Sequence, residues 1–149
     1  MIATGSFLGT MAYFAMKNAP STPCALVVDD DAMIRLNAAD ILEEAGFATV
    51  EAASADEALE FLQEHHQAIV LLFTDVQMPG SQDGFALARE TARHWTHISI
   101  VVASGLARPG PNDLPDGAHF IGKPFSAHVV HQHLRDRIPE QDKPAPLKA

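Results

Sequence analysis

The stretch FTDVQMPG, residues 73–80, places a single carboxylate, Asp75, at the point where an apolar run ends. The apolar run is long enough for a buried strand, and the Met-Pro-Gly that follows ends any regular element. A second stretch, ALVVDDDAM at residues 25–33, also runs apolar and then continues into Asp29, Asp30 and Asp31. Two predicted strands of this chain therefore end in carboxylates.

The rest of the chain alternates apolar runs with segments of helical periodicity, which is typical of a parallel sheet with helices on both faces. The predicted strands are 25–29, 48–52, 68–74, 99–103 and 119–122. The predicted helices are 34–45, 54–65, 85–94 and 126–138, with Ser54 and Ser126 as N-caps and Gly46 as the stop of the first. We expect an α/β fold with a doubly wound five-stranded parallel sheet of order 2-1-3-4-5, as in flavodoxin-like folds.

The segment LARPGPNDLPDG, residues 106–117, lies where a further helix would complete the alternation. Its prolines and glycines disfavour a full helix, so we expect a loop or one short turn there.

Composition limits the function classes. The chain has 149 residues and a formal charge of −9, and no basic stripe is present, so a nucleic-acid partner is not expected. The single Cys24 cannot form an internal disulfide and favours a reducing, cytoplasmic compartment.

The two ends of the chain differ in composition from its middle. Residues 1–23 contain one charged side chain, Lys17, and the apolar patch 7–16 is shorter than the about 20 residues of a membrane span. No basic lead-in marks a signal peptide. We expect residues 1–23 to be a disordered extension, with an extra surface helix as the alternative, and we expect no membrane association. Residues 24–138 then form the domain, and residues 139–149 form a flexible, proline-rich tail.

The acids converge in the predicted fold. Strands 1 and 3 are neighbours at the switch point of the sheet, where ligands bind beyond the carboxyl ends of strands, so Asp29, Asp30 and Asp75 come together. Two carboxylates about 4 Å apart repel by about 4 kcal/mol at an effective dielectric near 20, so a cation is expected between them. Oxygen ligands with room for water suit Mg²⁺. Asp31 is expected to point away and to begin the first helix.

Two more polar groups end the last two strands. The stretch VVASG places the hydroxyl of Ser104 after strand 4, and FIGKPF places the ammonium of Lys123 after strand 5. Carboxylates, a hydroxyl, an amine and Mg²⁺ on one rim fit phosphoryl transfer onto a carboxylate, where positioning and charge stabilisation supply most of the catalysis.

In residues 25–138 the chain resembles the receiver domains of two-component response regulators. The pieces that support the resemblance are VVDDD, FTDVQMPG with the following DGF, VVASG and GKPF, in that order. The resemblance implies that Asp75 accepts the phosphoryl group and that Asp29 and Asp30 hold Mg²⁺. It also implies that the backbone carbonyl of Gln77 is a metal ligand.

The same resemblance assigns the remaining site residues. It implies that Ser104 hydrogen-bonds the phosphoryl group, that Lys123 pairs with its charge, and that the Lys123–Pro124 peptide is cis. It also implies that Phe120 is a switch aromatic, which swings inward when Ser104 moves toward the phosphate. The side chains of Gln77 and Leu106 would flank the path of the hydrolytic water, and the apolar Leu106 predicts slow self-dephosphorylation.

The implied function is that of a single-domain response regulator, since a tail of eleven residues is too short for an effector domain. Its phosphodonor would be a histidine kinase or a histidine phosphotransfer protein, and its output partner is not specified by the sequence. The chain departs from the commonest pattern by one additional residue before its Asp-Gly and by the loop in place of a helix, which is part of the usual output face. It would be a signalling domain and not an enzyme, apart from catalysing its own phosphorylation and dephosphorylation.

Two alternatives remain. The Asp-x-Asp in DDDAM also resembles haloacid-dehalogenase-like phosphatases, although no suitable acidic pair follows Lys123. A pseudo-receiver that only binds partners is the other alternative, and the intact set of acids, hydroxyl and lysine disfavours it. The closely spaced His128, His131 and His133 fit a solvated helix face better than a metal site, because no carboxylate or cysteine completes a tetrahedral set.

Overall fold

The computed structural model describes residues 22–106 and 108–148. Strands β1 (Cys24–Val28), β2 (Ala48–Ala52), β3 (Ile69–Asp75), β4 (Ser99–Ser104) and β5 (His119–Gly122) form one parallel sheet of order β2-β1-β3-β4-β5. The α-helices of the described residues are α1 (Ala32–Glu44), α2 (Ala55–His65), α3 (Gly84–His94) and α4 (Ala127–Arg137). This topology confirms the predicted sheet order, and the strand boundaries agree with the prediction to within one residue.

The helices begin at capping side chains that the sequence supplies. Asp31, Ser54, Asp83 and Ser126 each accept a hydrogen bond from a backbone N–H in the first turn of the helix that follows. Helix α1 ends before Gly46, whose φ of +105° is left-handed and therefore suits a residue without a side chain. Asp31 is thus the N-cap of α1, as predicted.

The sheet is buried on both faces, which explains why its strands read as continuous apolar runs. One apolar cluster packs the sheet against α2 and α3 and includes Leu26, Val50, Phe61, Leu72 and Val102. The other packs it against α1 and α4 and includes Val27, Leu42, Phe73, Ile121 and Leu134. Because both faces are covered, polar side chains concentrate at the ends of the strands.

The segment between β4 and β5 forms turns and no helix among its described residues. It is nevertheless fixed on the domain, because the Nη1 group of Arg89 on α3 donates to the carbonyl oxygen of Asp113 at 3.0 Å. Leu114 and Ala118 also pack against the apolar cluster under α2 and α3. The predicted replacement of a helix by a loop is confirmed.

Past α4, residues 139–148 pack against the domain. Two 3-10 helices, Glu140–Asp142 and Ala145–Leu147, lie in this segment, and Leu147 is only 1% exposed within the cluster between α1 and α4. Pro144 lies so close to Gly46 that a Cβ on the glycine would be 2.7 Å from the proline Cβ. Leu147 thus occupies an apolar site that the polar composition of the segment does not reveal.

Two further expectations concern the chain ends and the histidines. The predicted N-terminal extension falls on residues outside the described part, apart from Thr22 and Pro23. No described helix is both long and apolar enough to cross a bilayer.

On α4, Nε2 of His131 lies 2.8 Å from the carbonyl oxygen of Ile41, so this histidine connects α4 to α1 and is not simply part of a solvated face.

Candidate functional site

Four polar side chains lie at the carboxyl edge of the sheet, and each is placed by the end of a strand. Asp29 directly follows β1, Asp75 is the last residue of β3, Ser104 is the last residue of β4, and Lys123 directly follows β5. Asp29, Asp75 and Ser104 are 5%, 9% and 2% exposed, so this edge holds buried polar groups. Parallel strands make this convergence possible, because their carboxyl ends all reach the same edge.

Lys123 connects the two buried carboxylates. Its ammonium group donates to Oδ1 of Asp75 at 2.8 Å and to Oδ2 of Asp29 at 3.0 Å. The other oxygen of Asp29 accepts from the backbone N–H of Asp31 at 2.9 Å, which orients the carboxylate at the start of α1. Buried charges need such partners, because an unpaired charge away from water is very costly.

Asp30 completes a group of three acids. Carboxylate oxygens of Asp29, Asp30 and Asp75 all lie within 4.8 Å of one another, and the described residues contain no other such group of potential metal ligands. Asp30 is exposed whereas the other two acids are buried, so the group is open to solvent on one side. An all-oxygen set with room for water molecules fits Mg²⁺.

Burial and the hydrogen bonds of Lys123 shift the pKa values of Asp75 and Lys123. Burial raises the pKa of Asp75 above its ordinary value, the hydrogen bond from Lys123 opposes this rise, and the charge of Asp29 adds to it. For Lys123, burial would lower the pKa, but the hydrogen bonds to Asp75 and Asp29 outweigh burial and raise it. The lysine is therefore held in its charged form, while the ionised form of Asp75 lacks full compensation.

Two residues outside the predicted site hold its backbone. A Cβ on Gly84 would overlap the carbonyl oxygen of Asp75, and the Gly84 N–H donates to the carbonyl oxygen of Val76 at 2.8 Å. Arg35 on α1 donates to the carbonyl oxygen of Asp29 at 2.8 Å through Nη1 and to Glu51 at 2.9 Å through Nε. Gly84 could have been selected from the sequence, because it is the glycine of the DGF piece. Arg35 could not, because it belongs to no motif and only its place in the first turns of α1 distinguishes it.

The other predicted residues lie near the same edge. The Lys123–Pro124 peptide bond is cis. Gln77 and Leu106 follow β3 and β4 and are both exposed, Leu106 to 83%. Phe120 lies on β5 and is half-buried, with the guanidinium carbon of Arg108 at 5.6 Å from its ring centroid. Arg108 belongs to no motif and was not predicted as a site residue.

Comparison with known proteins agrees with this geometry. The family model described as "Response regulator receiver domain" matches residues 25–135. The response regulator receiver protein CpdR of Brucella abortus is 33% identical over 121 residues, which cover 79% of this chain and 92% of CpdR. The chemotaxis protein CheY of Bacillus subtilis is 33% identical over 117 residues, covering 76% of this chain and 95% of CheY.

Longer proteins are also similar. The sensor kinase CckA of Brucella abortus is 32% identical over 120 residues, and the match spans 78% of this chain but only 13% of CckA. Similarly, the match to the C4-dicarboxylate transport transcriptional regulatory protein DctD of Rhizobium meliloti spans 25% of that protein. A crystal structure of the receiver domain from the hybrid histidine kinase CckA has a TM-score of 0.67 and 28% identity, covering 78% of this chain and 99% of that domain.

Proposed function

The chain belongs to the response regulator receiver domain family, and from this premise we propose that it accepts a phosphoryl group onto Asp75 in a Mg²⁺-dependent reaction. The donor would be the phosphohistidine of a histidine kinase or of a histidine phosphotransfer protein. Phosphorylation would switch the conformation of the domain, which then signals or passes the phosphoryl group on. The buried thiol of Cys24 supports action in the reducing cytoplasm.

One observation carries this proposal: the Lys123 ammonium bridges Asp75 and Asp29 at 2.8 and 3.0 Å beside a third acid. In the proposed reaction an oxygen of Asp75 attacks phosphorus, the bond from phosphorus to the donor histidine nitrogen breaks, and an acyl phosphate forms. The histidine nitrogen keeps the electron pair of that bond. Lys123 would hold the Asp75 carboxylate and pair with the incoming negative charge.

The metal would be held by Asp29, Asp30 and Asp75, together with the backbone carbonyl of Gln77. When bound, Mg²⁺ would offset negative charge on the acids and on the transferred phosphoryl group. Asp29 is oriented for this role by its hydrogen bond from Asp31 N–H. Asp30 is exposed and leaves the group accessible to an ion from solvent.

The proposed switch uses Ser104 and Phe120. Ser104 is buried at the end of β4 and would donate its hydroxyl hydrogen to the phosphoryl group. Phe120 of β5 pairs with Val102 of β4, and Ser104 lies two residues after Val102 on β4. Successive alternate residues of a strand share a face, so movement of Ser104 would open space on the side of the sheet where Phe120 lies.

The test is phosphorylation of the purified protein by a phosphohistidine donor carrying labelled phosphate. We expect label on the parent protein with Mg²⁺, none with EDTA, and none on Asp75→Asn. Asp40→Asn, which changes an exposed acid of α1, serves as the matched control and should take label like the parent. Label that persists on Asp75→Asn or in EDTA would refute the proposal. Turnover of a chromogenic phosphate ester would instead support the phosphatase alternative.

A further inference from the structure

Arg108 contacts the proposed switch residue from the loop between β4 and β5. Its guanidinium carbon lies 5.6 Å from the centroid of the Phe120 ring, which is within the range of a cation–π interaction. Its Nη1 atom would lie 3.7 Å from a Cβ built on Gly122. The guanidinium therefore lies over β5 beside both residues.

The strand register places this contact next to the candidate site. Phe120 pairs with Val102, and Gly122 pairs with Ser104. Phe120 and Gly122 are two residues apart and so share one face of β5. Arg108 thus lies beside the position of β5 that neighbours Ser104 in the sheet. A single arginine thus lies beside both the switch aromatic and the β5 residue that pairs with Ser104.

The loop that carries Arg108 is anchored at its far side. Arg89 of α3 donates to the carbonyl oxygen of Asp113 at 3.0 Å, and one carboxylate oxygen of Asp113 accepts from the Gly110 N–H at 2.6 Å. Leu114 packs onto the apolar core. Arg108 is therefore attached to a fixed loop, and its contact with Phe120 costs less chain entropy than a contact from a free segment would.

We propose that Arg108 is a latch that holds Phe120 in the unphosphorylated arrangement and so opposes phosphorylation of Asp75. This inference rests on the proposed function and adds regulation to the same site. An interaction made in one conformation and lost in the other shifts the equilibrium toward the first by its own free energy. If Phe120 leaves the guanidinium when Ser104 moves toward the phosphoryl group, every phosphorylation event must break the latch.

The experiment measures affinity for beryllofluoride, an analogue of the phosphoryl group, by calorimetry in the presence of Mg²⁺. Arg108→Ala should bind it about two- to fivefold more tightly than the parent, as expected for loss of an exposed cation–π contact. Arg93→Ala is the matched control, because it removes an exposed arginine of α3 that pairs with Glu90 on its own helix. It should keep the parent affinity.

A double-mutant cycle separates the latch from a merely structural effect. In a Phe120→Leu background the ring is gone, so Arg108→Ala should no longer change the affinity. Unchanged or weaker binding by Arg108→Ala in the presence of Phe120 would refute the latch alone. An equal gain in Arg93→Ala would also refute it and would assign the effect to the loss of an exposed positive charge. A gain that survives Phe120→Leu would refute it too and would assign the effect to loosening of the loop. Absence of binding by the parent protein would refute the proposed function and the latch together.

Discussion

Replacement of Leu147 by Ala should destabilise the domain, although the residue is only two positions from the end of the chain. Leu147 is 1% exposed and packs between α1 and α4 with Ala45, Leu134 and Ile138. Truncating a buried leucine to alanine costs about 2 to 5 kcal/mol, and the lower values belong to sites that can collapse. A segment near a chain end can shift to fill the space, so we expect about 2 to 3 kcal/mol.

This cost is a large part of the about 5 to 15 kcal/mol by which a domain is stable. For a domain of this size it should lower the Tm by about 4 to 12 °C. The assay is urea unfolding at equilibrium, where the midpoint should fall while the slope stays unchanged. Leu106→Ala makes the same chemical change at a residue that is 83% exposed, and it should change stability by less than about 0.5 kcal/mol. Equal effects of the two substitutions would refute the packing of the C-terminal segment.

Three other predictions concern separate parts of the chain. Gly84→Ala should lower the free energy of unfolding by about 3 kcal/mol or more and slow phosphorylation, because the new Cβ would overlap the Asp75 carbonyl oxygen. Urea midpoints and the labelling rate check this, and a variant that behaves like the parent would contradict it. Burial raises the pKa of Cys24 to about 12 from 9.0, so the thiol contributes stability that is fully present below pH 9 and is lost as the pH rises toward 12. Urea midpoints of the parent should therefore fall more steeply over this pH range than those of Cys24→Ala, and parallel curves would exclude the effect. Self-dephosphorylation of the parent should be slow, over minutes or longer, and Leu106→Glu should accelerate it, because the carboxylate can hydrogen-bond the attacking water. The decay of labelled protein measures both rates, and slower decay in the variant would contradict this role of residue 106.

The sheet and the site acids were predictable because they follow from local patterns. Each strand is an apolar run bounded by helix caps or turn residues, and the parallel alternation determines where the strands end. Once the sheet order is assumed, Asp29, Asp75 and Lys123 must meet at one edge, as the hydrogen bonds of the lysine show. Sequence spacing alone thus located the charged groups of the site.

The contacts that support the site were not predictable, because they depend on distances between segments far apart in sequence. Leu147 lies in a stretch that reads as a polar tail, and only the groove between α1 and α4 explains its burial. Arg108 lies in a loop with no periodicity, and its contact with Phe120 arises from the path of that loop. Gly84 is part of a recognisable motif, but the reason that it must lack a side chain is seen only from the position of the Asp75 carbonyl oxygen.

The charges of the site support the proposed binding of a divalent cation in addition to the lysine. Asp29, Asp30 and Asp75 carry three formal negative charges, and Lys123 compensates one, which leaves a net charge of −2 at the carboxyl edge of the sheet. Burial is the main cause of the raised pKa of Asp75, the hydrogen bond from Lys123 opposes the rise, and the charge of Asp29 adds to it. A nucleophilic carboxylate must be ionised to attack, so the charge that the lysine leaves uncompensated is the charge that a divalent ion would balance. The groups proposed to bind the metal would thus also set the ionisation of the proposed nucleophile, and loss of metal is expected to impair both binding and chemistry at once.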